Sequence, residues 1–86
     1  MIMIDEDVMI DGHVISLSEF QSGDVGRVVK IVSVDNGRLL KLSAMGIVPG
    51  STLRCQQRSP AYVIWVGETQ LSLDKAVAQD IWLVKI

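Results

Sequence analysis

Apolar positions in this chain recur mostly every second residue, and only one stretch shifts to helical spacing. Val25, Val28, Val29, Ile31, Val32 and Val34 form a β-branched run, which favours a strand over a helix. Gly26 inside that run predicts a bulge or tight bend. Leu53, Cys55 and Gln57 alternate with Arg54 and Gln56, as in a half-buried strand. Tyr62 to Val66 and Thr69 to Leu73 flank Gly67-Glu68, a two-residue hairpin loop with glycine first, the preference of a type II′ turn. In the closing strand, Asp80 to Ile86, Ile81 and Leu83 share one face and Trp82, Val84 and Ile86 the other.

The helical interval follows Asp35-Asn36-Gly37. Leu39 and Leu42 are three apart and Leu40 and Ala44 four apart, which predicts an apolar face beside Arg38, Lys41 and Ser43 over a short helix at 38–45. Asp35 or Asn36 can cap its start. Gly46 is the natural left-handed residue after its end, with Ile47 folding back onto the last turn. Pro49-Gly50 predicts a type II turn. One-turn helices are expected near 17–20, stopped by Gly23, and at 74–78, capped by Asp74. About five short strands joined by tight turns point to a small closed β-barrel, because closure removes sticky sheet edges. No internal repeat or low-complexity segment interrupts it.

Composition narrows the class. The 86 residues are 49% hydrophobic and 21% charged, enough apolar material for one domain and too little charge for a disordered tail. Aromatics are only 5%, so aliphatic side chains must fill the interior. A formal charge of −2 argues against a nucleic-acid binder that neutralises phosphates. That charge is uneven: Asp5, Glu6, Asp7 and Asp11 stand in residues 1–13 without a Lys or Arg, and the remainder is mildly basic. The single cysteine excludes an internal disulfide, and no apolar run approaches a membrane span, so a cytoplasmic location without membrane insertion is expected.

Gly37 to Gly50, ending in Met45-Gly46-Ile47-Val48-Pro49-Gly50, resembles the helix and turn of the FeoA domain, a small SH3-like barrel associated with bacterial ferrous iron uptake. Leu17 to Val28, Pro60 to Val66 and Leu71 to Val84 match further parts of the pattern in order. The resemblance spans residues 17–86, so a barrel domain at 15–86 is expected behind an N-terminal extension, 1–14, that is a strand, an arm or disordered. Two departures stand out: Asp74 precedes Lys75 where the family often has a basic residue, and the helix carries Arg38 and Lys41 in place of tandem arginines. The resemblance implies an accessory protein, not an enzyme, acting with FeoB, a membrane iron transporter. The same barrel closes metal-dependent repressors of the DtxR type, whose helix-turn-helix and metal-binding domain 86 residues do not hold.

Candidate residues follow from this reading. A docking anchor around Met45, Ile47, Tyr62 and Trp65, rimmed by Arg38, Lys41 and Arg58, would bind the transporter, and Trp65 or Trp82 must face outward or plug a barrel end. The alternative is a sensor or metallochaperone holding ferrous iron or another divalent metal through His13, Cys55 and the acidic N-terminus. Against it, one thiol and one imidazole do not complete a first shell, and Cys55 alternates with Leu53 on the presumed inner face. A further alternative is a peptide-binding or weakly self-associating barrel in which Met1 to Ile4 pairs with a neighbour's edge strand. Catalysis finds no support: there is no second histidine, no phosphate-cradling glycine loop and no rigid carboxylate pair.

Overall fold

The computed structural model describes residues 13–33 and 35–86. Among them the strands are β1 (Val14–Ser16), β2 (Val25–Ile31), β3 (Thr52–Gln57), β4 (Tyr62–Val66), β5 (Thr69–Leu73) and β6 (Ile81–Lys85), with helices α1 (Asn36–Ala44) and α2 (Lys75–Asp80) and a 3-10 turn at Leu17–Glu19. One antiparallel sheet runs β1-β6-β2-β3-β4-β5. The sequence predicts about five strands; the additional one is β1, which takes in Val14 from the expected extension and pairs it with Val84. Residues 1–12, including Met1 to Ile4 and the acids at 5, 6, 7 and 11, lie outside the described residues.

The core is aliphatic, as the scarcity of aromatics requires. Leu17, Phe20, Val28, Leu42, Ile47, Leu53, Cys55, Ile64, Ile81 and Leu83 are buried, with Tyr62, Leu73 and Ala78 beside them. Alternation places them: Leu53 and Cys55 on β3, Tyr62 and Ile64 on β4, and Ile81 and Leu83 on β6 all point inward.

Gly26 does not bulge. It keeps register with both Lys85 and Leu53, and the ladder shifts later, between Val28 and Lys30. The glycine is required by close packing: a Cβ there would sit 2.6 Å from Phe20 Cζ and 3.0 Å from the Val84 carbonyl oxygen. The Gly67-Glu68 hairpin forms, pairing Val66 with Thr69.

Helix α1 starts two residues earlier than the spacing predicts, because Asp35 is its cap and accepts from the Arg38 N–H at 3.1 Å. It ends in a Schellman motif. Gly46, at φ 88°, donates to the Ser43 carbonyl at 3.0 Å, and Ile47 donates to that of Leu42 at 2.9 Å. The Ser51 N–H then closes the Pro49-Gly50 turn on the Val48 carbonyl at 2.9 Å. The predicted apolar face is only half right. Leu42 is buried and Leu39 half-buried, but Leu40 is 72% exposed and Ala44 faces solvent with it.

The small barrel is the expected one, but its hydrogen-bonded ladder is left open: among the described residues β1 and β5 are its two ends and do not pair. The connection between β5 and β6 takes over part of the closure. Helix α2, capped by Asp74 accepting from Val77 N–H at 2.9 Å, packs on the 3-10 turn and β1. Buried Ser16 ties these together: its hydroxyl reaches the Ala78 and Gln79 carbonyls at 3.2 Å each and accepts from Ser18 N–H at 3.1 Å.

Candidate docking groove

Helix α1 and the β5–α2 corner face each other across a cleft of about 190 Å³. Arg38, Lys41 and Leu42 of α1 and its C-cap Met45 line one side; Ser72 and Leu73 of β5, with the α2 cap Asp74 and Val77 of α2, line the other. The spacing of Arg38, Lys41, Leu42 and Met45 at positions three and four apart puts all four on one helix face. Leu42 and Leu73 are core residues, and half-buried Met45 and Val77 pack against the same core, so the floor is apolar.

The rim is charged but differentiated. Arg38 is held by Asp80, whose carboxylate accepts from the guanidinium at 3.0 Å, with both side chains partly exposed. Asp74 spends a carboxylate oxygen on capping α2. Lys41 is exposed and makes no ion pair among the described residues. The cleft therefore offers an apolar floor, the Lys41 ammonium with no ion pair among the described residues, and the Asp74 carboxylate with one oxygen on the α2 cap, which suits a chain segment carrying apolar side chains and a carboxylate for Lys41.

Three predicted docking residues, Arg38, Lys41 and Met45, meet here. Four do not. Ile47 is fully buried, because the Schellman motif turns it back under α1. Tyr62 is 5% exposed, its hydroxyl donating to the Ser18 carbonyl at 3.1 Å, so it is a core residue and not an anchor. Arg58 donates to that same carbonyl at 3.0 Å and pins the 3-10 turn. Trp65 lies half-buried on the outer sheet face, where its indole N–H donates to Gln56 Oε1 and Arg54 stacks 5.7 Å from its ring centroid. Trp82 is also half-buried, with Lys30 at 5.9 Å from its ring. Neither tryptophan fills the interior: each is a partly exposed ring shielded by a cation.

Sequence reading missed Ser72, Leu73, Asp74 and Val77 as groove residues. The alternation of Gln70 and Ser72 with Leu71 and Leu73 marks β5 as half-buried, but only the sheet order shows it to be an edge. Exposed Leu40 was missed for the opposite reason, being counted with the buried face.

The weak metal candidates occupy different settings. Cys55 is wholly buried, its Sγ lies 3.6 Å from the Gln57 carbonyl, and burial pushes its thiol pKa up. His13 is exposed at the start of β1, beside a cavity it shares with Ile15, Val84 and Lys85. Among the described residues no three His, Cys, Asp or Glu side chains gather as a metal site, and none of the helices is long and apolar enough to cross a membrane.

A short antiparallel sheet with a Schellman-capped helix between its second and third strands places the chain among small SH3-like domains. The family model of the FeoA domain matches residues 15–85, and the chain belongs to that family, which is linked to ferrous iron transport. Its fold resembles a crystal structure of an iron uptake regulatory protein, FeoA, at 32% identity and TM-score 0.79, covering 86% of this chain and 99% of that one. It also resembles the zinc complex of FeoA from Stenotrophomonas maltophilia, a prokaryotic SH3 domain protein, at 20% identity and TM-score 0.71, over 80% of this chain and 88% of that one. A manganese-dependent transcriptional repressor matches at 26% identity and TM-score 0.80, covering 87% of this chain but only 43% of the repressor. Comparison with curated proteins returns no match.

Proposed function

We propose that this protein is a cytoplasmic accessory component of ferrous iron uptake, without chemistry of its own, that docks onto the cytosolic part of a FeoB-type membrane transporter through the α1–β5 groove. Family membership supports the iron-uptake context. The observation that carries the docking reading is the cleft, where Arg38, Lys41 and Met45 meet Leu73 and Val77 over an apolar floor. A mostly committed charge set with one free lysine gives polarity to the contact, and the apolar floor supplies the driving force.

The test is a pull-down of the purified chain with the transporter's soluble cytosolic domain, repeated with Met45→Ala and Lys41→Glu. Saturable capture of the wild type is expected. Both variants should lose most of it while keeping the melting temperature within a few degrees, since Met45 is half-buried and Lys41 exposed. A folded wild-type chain that binds neither the soluble domain nor the whole detergent-solubilised transporter would refute the reading.

A further inference from the structure

The groove's second wall is the free edge of a β-strand, and that edge determines how an occupant sits. Strand β5 is the last in the sheet order and pairs only with β4 among the described residues. The two-residue hairpin makes Val66–Thr69 a hydrogen-bonded pair, so alternation gives Ile64–Leu71 and Tyr62–Leu73 the same status. Gln70 and Ser72, opposite Trp65 and Val63, therefore direct their backbone N–H and C=O groups away from β4. No backbone hydrogen bond among the described residues takes up those groups. Their side chains do not blunt the edge: it carries no lysine, no proline and no bulge, the usual protections of an exposed edge. Ser72 is moreover a lining residue of the cleft, opposite Lys41.

Resting on the docking reading above, we infer that the occupant is an extended, acidic-apolar peptide segment of the partner that adds to β5 as a further antiparallel or parallel strand. Its backbone pairs with Gln70 and Ser72, its apolar side chains face Leu73, Met45 and Val77, and a carboxylate meets Lys41. Charge supports an acidic segment. Lys41 makes no ion pair among the described residues and the six strands contain no Asp or Glu; the one acid in the groove lining, Asp74, is turned to α2, its Oδ1 accepting from the Val77 N–H. Strand addition of this kind draws affinity from main-chain hydrogen bonds and selectivity from the pockets for alternate side chains.

Amide hydrogen exchange of the full chain, with and without the transporter's cytosolic domain, tests this directly. Gln70 and Ser72 amides should exchange rapidly in the free protein and slow by about tenfold or more on binding. Ser72→Pro removes one of those donors at a position where an edge strand tolerates proline, and should abolish binding while circular dichroism stays unchanged. Lys41→Glu should weaken binding by about tenfold, with the loss shrinking at high salt. Binding that leaves Gln70 and Ser72 unprotected, or that survives in a folded Ser72→Pro chain, would overturn strand addition while the docking reading stands. Absence of binding by the folded wild type would remove both. Protection that appears without the partner and grows with protein concentration would make the occupant a second copy of this chain and overturn the partner assignment.

Discussion

The sheet has two ends, and they are finished differently. At β1 the strand is three residues long, and α2 and the 3-10 turn lie against it, joined through the buried Ser16 hydroxyl. At β5 the strand is five residues long and borders the cleft to α1. At the first end the Ser16 hydroxyl is spent on α2 and the turn; at the second, among the described residues, the outward backbone groups of Gln70 and Ser72 have no backbone partner and Lys41 has no ion pair. In a chain this small, every buried contact is needed for stability. An end left open is therefore the natural place for a partner to complete the fold's unfinished hydrogen bonding.

The largest effect that would break this contrast lies at the sealed end. Phe20 is fully buried with Gly26 against its ring, so Phe20→Ala should cost about 3–5 kcal/mol and unfold much of the population, read from urea denaturation. Gly26→Ala should cost about 1–3 kcal/mol in the same measurement, since its new methyl meets a ring that cannot retreat. Ser16→Ala removes the hydroxyl that joins β1, the turn and α2; a loss of about 1–2 kcal/mol is expected. At the open end the counterpart, Arg38→Ala, breaks only a partly exposed ion pair with Asp80 and should cost no more than about 1 kcal/mol. Equal costs for Ser16→Ala and Arg38→Ala would erase the distinction between the two ends.

The smallest effect depends on pH. Asp24 accepts from the Gln21 N–H and then from Lys85, and both hold its carboxyl below the usual carboxylate range. Its folded pKa is depressed, so its stabilisation is full above the unfolded value of about 4 and is lost as pH falls through the folded value. Asp24→Asn should therefore separate from wild type in urea midpoint near neutrality and converge with it in acid.

Much of this fold was legible because the local signals agreed with one another. Asp35, Gly46 and Pro49-Gly50 punctuate α1 in sequence, and each makes the predicted bond or turn. Alternation separated Ile81 and Leu83 from Trp82, Val84 and Ile86, and the structure buries the first pair and leaves the second set partly or largely exposed. What periodicity cannot report is which elements become neighbours. The role of Gly26 depends on Phe20, six residues away, packing over it; the exposure of Leu40 depends on where α1 is seated; the burial of Tyr62 depends on a carbonyl forty-four positions back. The site was legible only on α1, where Arg38, Lys41 and Met45 share a helix face. Its other wall arises from sheet order, which is a long-range property.

On the reading proposed above, the open end of the sheet, not its outer face, receives the partner. Titrating the transporter's cytosolic domain against Lys41→Glu and Trp65→Ala side by side tests it most directly, with wild type as reference. Binding should be weakened about tenfold by Lys41→Glu and unchanged by Trp65→Ala, whose ring is already covered by Arg54. Loss of binding in Trp65→Ala with full retention in Lys41→Glu, both chains folded, would place the contact on the outer sheet face and contradict it.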